Sequence, residues 1–260
     1  WNNTDVNISL TAADNEVGTG VKEIHYKLTG TMSDEKTIAG VSAGLTISAE
    51  GTTALVYYAV DNAGNTETSK SLVIKLDKTP PVISTQSAPQ ANNAGWNNSD
   101  VTVSFTATDS LSGVASVSEP ITVTQEGANQ HIGGQAVDAA GNSASTYAVV
   151  NLDKTAPIVN VSASPNILWP PNHKMVDITV SGNANDNLSG IASTVFKVKD
   201  EYSSVEPVIS GFGNKIRLEA WRNGNDKDGR VYNIGVTVRD KAGNQSSNSA
   251  MVVCPHDNGK

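Results

Sequence analysis

A single cysteine, Cys254, leaves this 260-residue sequence without an internal disulfide framework or a thiolate-rich metal cluster. Only 5% of the residues are aromatic, too few for one large core, though small cores of Val, Ile, Leu and Ala remain open to it. Basic residues are scarce as well: 18 Lys and Arg face 26 Asp and Glu, and the net charge of −8 makes nucleic acid an unexpected partner. No run reaches the roughly 18 consecutive apolar residues of a membrane helix. No charged-then-apolar segment opens the chain at Trp1. We therefore expect a soluble, processed or excised piece that does not insert into membranes. Nor does a 3.6-residue apolar period persist for the roughly ten residues a helix needs, which predicts an all-β chain.

What the sequence does contain is repetition. Trp1-Asn2-Asn3-Thr4-Asp5-Val6 returns as Trp96-Asn97-Asn98-Ser99-Asp100-Val101. Each copy leads into alternating apolar residues, Val6, Ile8, Leu10 and Ala12 in one, Val101, Val103, Phe105 and Ala107 in the other, the signature of a half-buried strand. An acidic, Gly-containing turn follows: Asp14 to Gly20, Asp109 to Gly113, and a third copy at Asp186-Asn187-Leu188-Ser189-Gly190. A second block, Asp61-Asn62-Ala63-Gly64-Asn65, recurs as Asp138-Ala139-Ala140-Gly141-Asn142 and Asp240-Lys241-Ala242-Gly243-Asn244. Its Gly and Asn suit the positive φ of a hairpin turn.

Proline-bearing joints, Leu76-Asp77-Lys78-Thr79-Pro80-Pro81 and Leu152-Asp153-Lys154-Thr155-Ala156-Pro157, end strand pairing and predict domains over 1–78, 79–154 and 155–260. Short strands at this spacing point to sandwiches of about seven strands each. The second and third domains open with strands at Val82-Ile83-Ser84 and Ile158-Val159-Asn160, whereas the first has no counterpart before Trp1. Either the chain is cut from a longer array, or a neighbouring subunit donates the strand.

Together, Trp-Asn-Asn-Ser-Asp-Val, Asp-Ser-Leu-Ser-Gly-Val, Val-Asp-Ala-Ala-Gly-Asn and Leu-Asp-Lys-Thr-Ala-Pro resemble the bacterial Ig-like repeats of large surface and secreted proteins, over residues 1 to about 157. The third unit resembles an Ig-like or HYR-type terminal module through Leu168-Trp169-Pro170-Pro171-Asn172-His173-Lys174-Met175, Asp228-Gly229-Arg230-Val231-Tyr232 and Pro255-His256-Asp257-Asn258-Gly259-Lys260. The resemblance implies three tandem immunoglobulin-like β-sandwich domains that serve as spacers, adhesion modules or accessories to enzymes, at the bacterial surface or outside the cell. It implies no particular ligand.

Candidate chemistry is sparse. Gly40-Val41-Ser42-Ala43-Gly44 matches the hydrolase nucleophile elbow, but without a helix signal after it the segment reads as loop or strand edge. His25, His131, His173 and His256 show no ligand spacing and read as surface residues. The carboxylates are better placed. Asp14, Asp61, Asp77, Asp109, Asp138 and Asp153 recur at turns and joints, where they could supply hard oxygen ligands to Ca2+. The alternative is that each caps its own turn by accepting backbone N–H groups. Trp1, Trp96, Trp169 and Trp221 read as packing residues rather than sugar platforms, and Cys254 as a partly buried apolar residue.

No convergent acid, base and nucleophile emerges, so we expect no enzyme. The first expectation is a structural or adhesive array, a rod, spacer or filament subunit, whose partners are other copies of itself or neighbouring Ig-like modules and, at a surface, glycans or proteins. The alternative is a set of carbohydrate-binding accessory modules of a larger secreted enzyme.

Overall fold

The computed structural model describes residues 1–203 and 208–257; Asn258-Gly259-Lys260 of the closing motif lie outside them. Among the described residues every regular element is a strand, so the chain is all-β. It divides into two compact units. One comprises Trp1–Gln86, Ser104–Ile121 and Gly133–Ala148, the other Ser87–Val103, Thr122–Ile132 and Val149–Lys260.

The first stretch contains β1 (Val6–Thr11), β2 (Val21–Gly30), β3 (Asp34–Ala39), β4 (Ser42–Ile47), β5 (Gly51–Asp61) and β6 (Lys70–Leu76). β1 pairs antiparallel with β4, Val6 opposite Ile47 and Leu10 opposite Ala43, while the second sheet runs β3-β2-β5-β6. Strand alternation sends Leu10, Ala43 and Ile47 from one sheet against Ile24, Tyr26, Leu28, Leu55 and Ile74 from the other. Each large apolar side chain buried there contributes about 1.5–3 kcal/mol.

The next stretch holds β7 (Val82–Ala88), β8 (Val101–Thr108), β9 (Val114–Val117), β10 (Ile121–Val123), β11 (Gly127–Asp138) and β12 (Ser143–Leu152), in sheets ordered β10-β8-β7 and β12-β11-β9. Within it Gly134 is required by a close approach, since a Cβ there would lie 2.3 Å from the Phe105 ring. The last stretch holds β13 (Ile158–Ser164), β14 (Lys174–Asn185), β15 (Ile191–Asp200), β16 (Lys215–Ala220), β17 (Arg230–Asp240) and β18 (Gln245–Cys254), in sheets β13-β14-β16 and β15-β17-β18. Its core joins Ile178, Val180, Ile216 and Leu218 to Val198, Tyr232, Ile234, Val252 and Cys254.

In the last two stretches the first, second and fourth strands share one sheet and the third, fifth and sixth the other, the crossed connectivity of immunoglobulin-like sandwiches. Each stretch has six strands among the described residues rather than about seven. The Trp-Asn-Asn segment runs beside the last strand for one residue only: Asn2 makes a single parallel bridge to Leu76, and Asn97 to Leu152. Among the described residues β1 has β4 as its sole sheet partner, whereas β8 and β14 each have two. Val6 and Ile8 are accordingly half-buried where Val101 and Val103 are fully enclosed.

A charged pair, Arg230 and Asp200, is buried in the third stretch. Arg230, 1% exposed, donates through Nη2 to Asp200 Oδ2 at 2.5 Å, through Nε to Asp200 Oδ1 at 2.9 Å, and through Nη1 to Glu219 Oε2 at 3.2 Å. The rings of Tyr232, Tyr202 and Trp221 surround its guanidinium at 4.7, 5.0 and 5.5 Å. Opposite charge and satisfied donors are what make such burial tolerable.

Candidate metal centre at the aspartate linkers

Each linker begins where a last strand ends. Leu76 and Leu152 are fully buried, and the next residue, Asp77 or Asp153, is also buried. Asp77 Oδ1 accepts the Thr79 amide at 3.0 Å, its Oδ2 accepts the Ser112 amide at 2.9 Å, and its carbonyl accepts Asn142 Nδ2 at 2.8 Å. Asp153 repeats the set with Thr155 (3.1 Å), Ser189 (3.0 Å) and Asn244 (2.8 Å). A glutamate clamps the next two residues of each linker. Glu50 accepts the Lys78 amide at 2.5 Å and the Thr79 hydroxyl at 3.0 Å, and Glu126 accepts the Lys154 amide and the Thr155 hydroxyl in the same way. The lysine side chains close the arrangement, Lys78 on Asp5 at 2.9 Å and Lys154 on Asp100 at 2.8 Å.

The acidic turns bring two more carboxylates to each linker. Gly113 and Gly190, at φ +82° and +78°, let the chain turn so that Asp109 Oδ1 accepts the Gly113 amide at 2.7 Å and Asp186 Oδ1 the Gly190 amide at 2.5 Å. Asp138 Oδ1 accepts the Asn142 amide and Asp240 Oδ1 the Asn244 amide, both at 2.8 Å, across tight hairpins. Two groups result, Asp77 with Asp109 and Asp138, and Asp153 with Asp186 and Asp240. In each, one oxygen per carboxylate lies within 4.8 Å of the others, and two of the three residues are buried. No Lys, Arg or His among the described residues forms an ion pair with any of the six. Burial pulls the Asp138 carboxyl upward, but hydrogen bonds from the Asn142 side chain and from three backbone amides outweigh it and hold the group below its ordinary value. Beside the first group, Ser112 Oγ is the one buried side-chain polar atom without a hydrogen-bond partner among the described residues.

Turn capping and ion binding, opposed in the sequence reading, fall unevenly on the six carboxylates: Asp77, Asp138, Asp153 and Asp240 use both oxygens as hydrogen-bond acceptors. Asp109 and Asp186 commit Oδ1 to their turns, while Oδ2 has no donor among the described residues. Of the candidate ligands, Asp77, Asp109 and Asp138 converge. Asp153 joins Asp186 and Asp240, two residues not singled out as ligands although their turns match those of Asp109 and Asp138. Among the described residues Asp14 and Asp61 enter no three-carboxylate group. Asp14 folds onto its own loop, accepting the Asn15 and Gly20 amides at 2.8 Å, and Asp61 caps its hairpin through Ala63 and Asn65. Both line an open groove of about 420 Å³ together with Thr11, Ala12, Ala13 and Asn65.

Other candidates resolve simply. Ser42 opens strand β4 rather than a helix, which removes the nucleophile-elbow reading. His25 lies between Glu23 and Thr37 and stacks on Tyr58; His173 contacts Glu219 and stacks on Trp221. Trp1 and Trp169 are more exposed than expected of packing residues, 39% and 42%, with the Lys75 ammonium 5.7 Å from the Trp1 ring centre. No tryptophan lines the 420 Å³ groove. Cys254 is fully buried, not partly so, at the strand-end position that Leu76 and Leu152 occupy in the other stretches.

No family model and no curated protein matches the chain. Among solved structures it is similar to a 1.5-MDa bacterial ice-binding adhesin retained at the host cell surface (13% identity, 96% of this chain and 90% of that one, TM-score 0.41). It is also similar to a Ca2+-stabilised ice-binding adhesin of an Antarctic bacterium (18%, 96% and 68%, 0.40) and to cadherin domains 1–4 of protocadherin gamma B7 (14%, 96% and 71%, 0.40).

Proposed function

We propose that this chain is a non-catalytic extracellular array of immunoglobulin-like modules, at home on a bacterial surface, whose linkers are stiffened by bound Ca2+. The repeated three-carboxylate geometry carries the reading. Three ionised carboxylates with oxygens within 4.8 Å, two of them from buried residues and none paired with a cationic side chain, repel one another strongly in a poorly solvated site. A hard cation that takes oxygen ligands at about 2.3–2.6 Å spans that separation. The backbone amides already hold each carboxylate in place, so the sites are organised before an ion arrives.

A linker held this way transmits force and keeps a terminal module away from the surface that bears it, the work of a spacer or adhesive stalk. Its partners are neighbouring modules of the same kind, with surface glycans or proteins beyond them. Calorimetric titration tests the reading: two Ca2+ ions bind per chain, and chelation lowers the melting temperature. Saturation at a hundredfold excess over Kd contributes about 2.7 kcal/mol per site. Absence of heat together with an unchanged melting temperature on chelation would remove the ions and the stiffening role with them.

A further inference from the structure

The outer face of the β15-β17-β18 sheet gathers positive charge in a chain whose net charge is −8. Strand alternation sends Val198 and Val236 into the core and leaves Lys197 and Lys199 of β15 and Arg239 of β17 exposed on the other side. Among the described residues none of these three cations forms an ion pair. Glu201, beyond Lys199, turns to accept the Val231 amide at 2.8 Å. On the matching sheet of the first stretch, β3-β2-β5-β6, the cation is instead neutralised, Lys27 lying 2.8 Å from Glu35.

Beside the lysines the face is hollowed. An open trough of about 360 Å³ runs over Asn233, Gly235 and Thr237 of β17 and Ser247 and Ser249 of β18. Gly235 pairs with Lys197 on one side and Ser249 on the other, so the central strand has no side chain in that row. The hydroxyls of Thr237 and Ser247 meet at 3.0 Å, while the side chains of Asn233 and Ser249 make no hydrogen bond among the described residues. At strand spacing Lys197 and Lys199 stand about 7 Å apart, and about 20 Å separates the Lys199 row from the Arg239 row. Lysines on an edge strand can serve only to discourage pairing with another chain. Such a guard needs neither a glycine floor nor a third cation on the central strand. Val195 and Met251, exposed on this face, sit on opposite edge strands, so a protein partner finds no apolar pocket between them to fill.

We propose that this face binds a linear anionic polysaccharide, laid along β17 with its acidic groups on Lys197, Lys199 and Arg239 and its hydroxyls over Gly235 against Asn233 and Ser249. The inference rests on the reading of the chain as a surface array, whose glycan partner it specifies, and not on the linker ions. The missing side chain at Gly235 lets a sugar ring approach the backbone closely. The lysines act as point charges on flexible stems and follow acidic groups that are not fixed in one geometry.

The test titrates the intact chain by calorimetry with a hyaluronan octasaccharide, beside a dextran oligosaccharide of equal length and a poly-glutamate peptide. Hyaluronan binds, more weakly as salt is raised, and dextran does not. Lys197→Ala combined with Lys199→Ala weakens binding at least about tenfold. Gly235→Thr does the same with the charge unchanged, because its side chain fills the trough. A Cβ at Gly235 meets only the Lys197 carbonyl, at 3.6 Å, and threonine suits a strand, so the melting temperature of that variant holds. No binding of hyaluronan overturns the inference, and uptake of two Ca2+ in the same chain leaves the linker reading intact. Indifference to Gly235→Thr, or poly-glutamate bound as tightly as hyaluronan, reduces the face to a patch of charge and overturns the inference too. Hyaluronan bound without Ca2+ uptake overturns the linker reading instead.

Discussion

Asp153 accepts the Ser189 amide on Oδ2 at 3.0 Å, so a buried side chain at the end of one strand set fixes a loop 36 residues further along. Its other oxygen holds Thr155. Asp153→Asn leaves only one oxygen for two backbone amides, and an unsatisfied buried amide costs about 1–3 kcal/mol. The variant melts at lower temperature, and calorimetry finds one Ca2+ per chain instead of two.

The glutamate clamp is tested locally. Replacing Glu126 with Ala removes the acceptor of the Lys154 amide and the Thr155 hydroxyl. Amide exchange at Lys154 speeds up, while the homologous Lys78, clamped by Glu50, is unaffected.

Arg230 offers the largest single destabilisation. Arg230→Met leaves the Asp200 carboxylate buried without its guanidinium and costs about 3–5 kcal/mol in denaturant unfolding. Pairing it with Asp200→Leu recovers much of that loss, because the cost comes from the orphaned charge.

Acid weakens the fold in a defined window. Asp138 is held low by its turn hydrogen bonds against burial, and Glu219 is held low by His173 and Arg230. Folded carboxyls with depressed values bind fewer protons than the unfolded chain, so their stabilisation is complete above the unfolded values near 4 and disappears as pH falls through the folded ones. The melting temperature stays level from neutrality to about pH 5 and falls below about pH 4. Ca2+ uptake declines over the same range as protons compete for the carboxylates.

Burial pushes the Cys254 thiol up, despite the nearby Arg222 and Arg230. The native chain is silent to a thiol reagent and reacts only once unfolded, so Cys254 makes no bridge between chains.

Much of this was legible because the chain repeats itself. Alternation at Val101, Val103 and Phe105 located β8, and the Gly64, Gly141 and Gly243 turns fell on hairpins. The convergence of Asp77, Asp109 and Asp138 was only partly legible. Periodicity shows which residues turn the chain, but not that a linker aspartate reaches the turns of the following stretch rather than those before it. Grouping carboxylates by stretch put Asp14 and Asp61 with Asp77 and passed over Asp186 and Asp240, although the aligned turns contained the signal. The Arg230 network had no repeat to expose it, since a buried cation in a strand looks like any solvated one until its partners Asp200 and Glu219 are folded around it. The exposure of Trp1 and Trp169 likewise depends on which surfaces the neighbouring strands leave open.

The anchors of Asp77 lie downstream, at Ser112 and at Asn142, the latter 65 residues later. Synthesis proceeds from the N-terminus, so Glu50, Asp5 and the Asn2 carbonyl can hold this segment at once, whereas the two anchors on Asp77 form only after Ser112 and Asn142 have emerged. Asp153 follows the same order, its partners Ser189 and Asn244 being made 36 and 91 residues after it.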